Sequence, residues 1–154
     1  MTVLSGQSIA ARNGMIEPFI NQTKHNGLTF GIGPAGYDVR IAEAVSLPPG
    51  GFSLASTVER FDMPHDVLGI VHDKSTWARR GLALQNTVIE PGWNGYLTIE
   101  LSNHGDDCLS IEAGVPIAQI IFHLLDAPTV DPYSGKYQNQ EAGPQPARFE
   151  ERAA

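Results

Sequence analysis

Across residues 96–102, Leu97, Ile99 and Leu101 alternate with Thr98, Glu100 and Ser102. A period of two puts the two sets on opposite faces of a strand. Glu100 therefore points away from the apolar face, at solvent or into a pocket. Residues 37–41 alternate too, and 52–59, 67–72, 81–87, 108–111 and 117–124 read as further strands. Turn-forming residues separate them at 48–51, 64–66, 90–95, 105–107 and 113–114. Ser5 can cap a short helix over residues 6–13, stopped by Gly14. Residues 15–30, broken by Pro18 and Gly27, read as loop with at most one short strand. Many short strands with little helix predict an all-β fold: a distorted β-barrel or jelly-roll-like sandwich with one short N-terminal helix.

A chain of 154 residues suits one domain with a real core. Its 16 glycines and 11 prolines favour turns over a helical bundle. After Asp126, prolines and glycines punctuate a polar stretch. The expected division is a β-barrel body over residues 1–126 and an extended C-terminal lid or tail over 127–154. The net charge of −7 argues against non-specific nucleic-acid binding. It leaves room for a phosphorylated small molecule, since a local cation cluster can reverse the field in a pocket. No apolar run is long enough to span a membrane. The first residues lack a charged-then-apolar leader pattern, so a cytoplasmic location is the expectation. Cys108 is the only cysteine and the five histidines are scattered, which offers no zinc or iron–sulfur ligand set.

The candidate chemistry is concentrated between Asp73 and Asn103. Lys74, Ser75 and Thr76 form a run of donors, Arg79 follows four residues after Ser75, and Glu100 stands on the strand beyond the turn. Together they could bind an anionic substrate beside a carboxylate. Each has a plainer reading: Glu100 as a solvated partner of a lysine, Ser75 and Thr76 as turn residues, Arg79 in a surface ion pair. Gly31 to Gly36 resembles a phosphate-binding loop only weakly, because Pro34 interrupts it and no amphipathic helix follows. Trp93 is expected to pack at the turn, Asp38 and Arg40 to form a structural ion pair, and Cys108 to pack inertly. His123 is expected to be a hydrogen-bonded interior or interface residue.

Four segments occur in order: Lys74-Ser75-Thr76-Trp77-Ala78-Arg79, Glu90-Pro91-Gly92-Trp93-Asn94-Gly95, Thr98-Ile99-Glu100-Leu101-Ser102-Asn103 and Gly135-Lys136-Tyr137-Gln138-Asn139-Gln140. With Ser5, Gly36-Tyr37-Asp38-Val39-Arg40 and residues 48–60, they resemble the dCTP deaminases of the dUTPase-like superfamily. The resemblance implies a homotrimer with sites between subunits. It also implies hydrolysis of the 4-amino group of dCTP to give dUTP and ammonia, with Mg²⁺ carried by the triphosphate and no protein metal site. By the same resemblance Glu100 is the general base, Ser75 positions water and phosphate, and Arg79 polarises the reacting centre. Lys74 and Thr76 then contact phosphates, and Tyr133, Lys136 and Gln140 fold over the triphosphate as a lid. Gln119 matches a phosphate-contacting glutamine. Gln85, Asn86, Thr87, Glu90 and Trp93 fall where the pocket for base and sugar is built.

The residues suit that chemistry. A chain without the H-x-E…P-C-x-x-C signature of zinc deaminases must move protons with another group, and one carboxylate can supply about 10²–10⁴-fold. Several positions depart from the pattern. Asp73 replaces a small residue, Gln85-Asn86 replaces Asn-Val or His-Val, Arg80 replaces an apolar residue or cysteine, and an insertion between Ala44 and Pro48 is lacking. Glu90 stands where dUTPases place a water-orienting Asp. Bifunctional relatives also split dUTP, but the loop from Gly81 to Glu90 is shorter than theirs. The open alternatives are therefore a bifunctional enzyme giving dUMP, a deaminase of a 5-modified dCTP with Asn86 near C5, and a non-catalytic nucleotide-binding module.

Overall fold

The computed structural model describes residues 2–149. The five final residues assigned to the tail lie outside that range. In chain order the elements begin with β1 (Thr2–Val3), α1 (Gly6–Ala10), β2 (Ile16–Glu17), β3 (Thr23–His25), β4 (Leu28–Ile32) and β5 (Tyr37–Arg40). They continue with β6 (Val45–Leu47), β7 (Phe52–Asp62), β8 (Val67–Asp73), α2 (Ser75–Ala78) and β9 (Leu82–Leu84). The last are β10 (Val88–Ile89), β11 (Asn94–Asn103), β12 (Leu109–Ile111) and β13 (Pro116–Leu124).

These strands form three sheets. The largest runs β10-β8-β13-β5-β4-β3, with β1 also on β13; the second runs β2-β7-β11-β9, and β12 pairs with β6. The fold is all-β, as the alternation predicts, but the strand orders close no barrel. Inward residues of both larger sheets merge into one core, including Tyr37, Val71, Ile120 and Phe122 from the first and Phe61, Leu84, Ile99 and Leu101 from the second. Burying each such side chain contributes about 1.5–3 kcal/mol. An isolated bridge between Ile41 and Thr57 links the sheets. Beside it lies the fully buried Glu59, whose carboxylate accepts both the backbone N–H of Arg40 and its Nε–H at 2.8 Å.

Several local expectations change. Residues 15–30 hold strands rather than loop, because Asn26 and Gly27 both adopt positive φ, 48° and 78°, and close the β3–β4 hairpin. Helix α1 ends at Ala10, earlier than Asn13, and the Ser5 hydroxyl meets that of Ser8 rather than a backbone N–H. A second helical turn, α2, follows Lys74. Asp38 and Arg40 share a face but not a bond: Asp38 pairs with Lys74 and Arg40 with Glu59. Cys108 is exposed beside Ser46 instead of packed. His123 is partly buried on β13, and its Nδ1 is buried with no partner, so the expected hydrogen bond there is not made.

Candidate active site

Strand β11 carries the centre of the site. Its pairing sets Glu100 opposite Leu54 of β7, and the neighbouring Leu101 pairs with Leu84 of β9. Leu97, Ile99 and Leu101 are buried and Thr98 and Glu100 are partly exposed, so the alternation holds along the strand. Glu100 faces a cavity of about 510 Å³ lined mostly by apolar side chains, among them Phe52, Leu54, Val88 and Leu97. Its Oε2 is buried with no hydrogen-bond partner. Burial raises its pKa above the ordinary glutamate value, opposed by a hydrogen bond from its own backbone amide. A carboxylate left in that state is prepared to take up a proton.

The opposite wall comes from the C-terminal segment, which docks on its own chain. Tyr133, Tyr137, Gln140, Gln145 and Ala147 all line the cavity. Trp93 is buried, and its Nε1–H donates to the carbonyl of Tyr137 at 2.7 Å. Gln138 is clasped by the 91–95 turn: its Nε2 donates to the Gly92 carbonyl at 2.8 Å and its Oε1 accepts the Asn94 N–H at 3.1 Å. Gln140 forms a parallel bridge with Gly95. Two glycines make this approach possible. A Cβ on Gly92 would lie 2.6 Å from the Cβ of Pro132, and one on Gly95 would lie 2.6 Å from the Gln140 nitrogen.

Of the residues singled out from sequence, the cavity gathers Glu100, Thr87, Glu90, Trp93, Tyr133 and Gln140. It does not gather the donor cluster. Ser75 and Thr76 on α2, with Arg79 just after it, are exposed and outside the cavity lining. Lys74 is buried, with Nζ 2.7 Å from Asp38 Oδ2 and 3.5 Å from Thr29 Oγ1. Gln119 lies on β13 in register with Asp38 and His72. Gln85 and Asn86 are exposed on the β9–β10 connection, where the Gln85 N–H donates to the backbone carbonyl of Glu100 at 3.2 Å. Lys136 is exposed, its ammonium 5.4 Å from the ring centre of Tyr137. Asp73 is engaged by the backbone: its Oδ1 accepts the N–H of Leu84 at 2.8 Å.

The lining residues include two glutamates, Glu90 and Glu100, and no lysine or arginine. The cavity therefore suits the uncharged part of a nucleotide better than its phosphates. No group of three or more His, Cys, Asp or Glu side chains among the described residues is placed to hold a metal ion. Sequence reasoning missed Thr98, Tyr137, Gln138 and Gln145. Thr98 was visible as the residue sharing Glu100's face; Tyr137 and Gln138 lay inside the Lys136–Gln140 motif. Gln145 carried no signal, since its role comes from the tail folding back.

Residues 38–125 match the family model described as "dCTP deaminase-like". A dCTP deaminase of Campylobacter fetus subsp. fetus is 38% identical over 84% of this chain and 87% of its own length. One of Roseiflexus castenholzii is 36% identical over 87% and 91%. Among solved structures, the native EIAV dUTPase superposes with a TM-score of 0.56 at 20% identity, over 80% of this chain and 93% of that one. At that identity the likeness establishes the dUTPase-like fold alone. The family match and the identity to these relatives show that the chain belongs to the dCTP deaminase-like family.

Proposed function

We propose that this protein hydrolyses the 4-amino group of dCTP, giving dUTP and ammonia. The observation that carries the reading is Glu100, a carboxylate with one oxygen buried and unpartnered, facing a cavity of nucleoside size. Glu100 takes a proton from water as the water oxygen bonds to C4. It passes that proton to N3, which takes the electron pair of the C4–N3 double bond, and then carries the remaining hydroxyl proton to the amino nitrogen of the tetrahedral centre. The C–N bond breaks, C4 becomes a carbonyl and ammonia leaves, so one water is consumed per turnover. A raised pKa suits a group that must hold a proton between two steps.

The phosphates need cations that the cavity lining lacks. We read the working unit as a homotrimer in which one copy supplies Glu100 and the lid, and its neighbour supplies Ser75, Thr76 and Arg79. The exposure of α2 away from the Glu100 cavity supports this division. Lys74 already holds Asp38, yet an ammonium has three donors and keeps capacity for a phosphate oxygen. Ser75 then orients the water and a phosphate, and Arg79 polarises the reacting centre. Mg²⁺ enters as part of the nucleotide substrate.

The test is incubation with dCTP and Mg²⁺, resolution of the products, a parallel incubation with dUTP, and Glu100→Ala as control. Ammonia and dUTP from the wild type, with activity in the variant lower by about 10²-fold or more, are expected. Untouched dCTP with a reacting 5-modified dCTP would move the substrate. Pyrophosphate and dUMP from dUTP would add the second activity, with Glu90 at the cavity wall as the residue to examine.

A further inference from the structure

Thr98 precedes Glu100 by two residues on one face of β11, and both side chains line the cavity. Its hydroxyl oxygen accepts Nε2–H of Gln140 at 2.7 Å and the backbone N–H of Gln145 at 3.0 Å. A hydroxyl has two acceptor lone pairs and one hydrogen to donate. Both lone pairs are therefore taken by the tail. The same Gln140 Nε2 also donates to the Tyr96 carbonyl at 2.8 Å, an atom that can only accept, and the Gln145 donor is a backbone amide. What Thr98 retains for the cavity is a hydrogen alone. On the same cavity wall stands the Glu100 carboxylate, acceptor-only when ionised.

We propose that Thr98 is a positioning residue that couples docking of the C-terminal segment on its own chain to the action of Glu100. A water between the two side chains accepts from Thr98 and donates to the Glu100 carboxylate. Its proton is then aimed at the base, and a lone pair is left for C4. With the segment undocked, the Thr98 hydroxyl regains both lone pairs and can also accept from water, which then no longer has one fixed orientation. Closing the cavity and orienting the water become the same event. This rests on the deamination proposed above for its catalytic half; the docking half stands on the hydrogen bonds alone.

The test compares Thr98→Val, which keeps shape and loses the hydroxyl, with Thr98→Ser, which keeps it. Two quantities are measured in the full chain: kcat and KM for dCTP, and amide hydrogen exchange across residues 137–147. Thr98→Val should lower kcat by about tenfold or more with a smaller change in KM, and exchange in 137–147 should speed up by about fivefold or more. Thr98→Ser should keep both near wild type. If Thr98→Val keeps kcat, the coupling is overturned, whatever the exchange does. If Thr98→Ser fails as badly as Thr98→Val, packing and not the hydroxyl is responsible, and the proposal is overturned. Should Thr98→Val not fold, Gln145→Pro deletes one of the two donors without touching β11 and carries the same expectation. A wild-type protein that releases no ammonia removes the functional reading and the catalytic half with it. The exchange contrast between the two Thr98 variants then upholds or overturns the docking half.

Discussion

At the scale of the residue, the role proposed for Glu100 ties activity to pH. Its folded pKa lies above the ordinary glutamate value because burial penalises the charged form. A base must be ionised to accept a proton, so kcat/KM should rise with pH through a midpoint above about 4.3, the unperturbed value. A pH–rate profile with its acid limb at or below that value would contradict the assignment. The same shift fixes the sign for stability. A raised folded pKa means that the contribution is fully present below the unfolded value and is lost as pH climbs through the folded one. Glu100→Gln, neutral at every pH, should be inactive yet more stable at pH 7 by about 0.5–2 kcal/mol. Urea unfolding at pH 7 and pH 4 checks this, and the gain should shrink at the lower pH. The face on which Glu100 lies was legible from a period of two. Its lone Oε2 was not, because the wall that encloses it includes residues some forty positions later in the chain.

At the scale of the element, the turn after Pro91 is a docking platform. Alternation and turn chemistry located its ends, but a parallel bridge from Gly95 to Gln140 leaves no pattern in either segment. Gly95 has φ 141° and a Cβ there would sit 2.6 Å from Gln140 N and 2.7 Å from Gln140 O. Gly95→Ala should therefore displace the tail, cost about 1–3 kcal/mol in backbone strain and depress kcat/KM by about tenfold or more. Gly50 is the control. Its φ is 72° but nothing lies within 4 Å of an added Cβ, so Gly50→Ala should lose stability and keep activity. Thermal melts and ammonia release together separate the two cases. The Asn26-Gly27 hairpin was readable in advance and was obscured by the polar residues around it. The α2 turn was harder to see, since four residues carry no helical period.

At the scale of the whole molecule, the candidate residues fall in two places. The Glu100 cavity is apolar and acidic, and the hydroxyls and guanidinium of the Ser75–Arg79 stretch lie outside its lining. A site drawn from two copies can be rebuilt from two broken ones. Arg79→Ala and Glu100→Ala should each be inactive, yet refolded together they should recover roughly a quarter of wild-type activity, the share of two-copy sites that random mixing leaves intact. No recovery would place the whole site in one chain. All-β character and the order of the motifs were legible at this scale. Which cation meets which carboxylate was not: Asp38 and Arg40 alternate onto one face, and only the register of the sheets sends them to Lys74 and Glu59.

Asp73 shows how a departure from a motif can be architectural. A carboxylate beside a triphosphate site suggests altered ligand preference or a recruited ion. Here it instead ties the end of β8 to the amide of Leu84, on the strand that flanks β11. Its charge serves as a strut, and neighbouring geometry depends on it. Divergence at such a position records how the scaffold is braced and says little about what the enzyme selects.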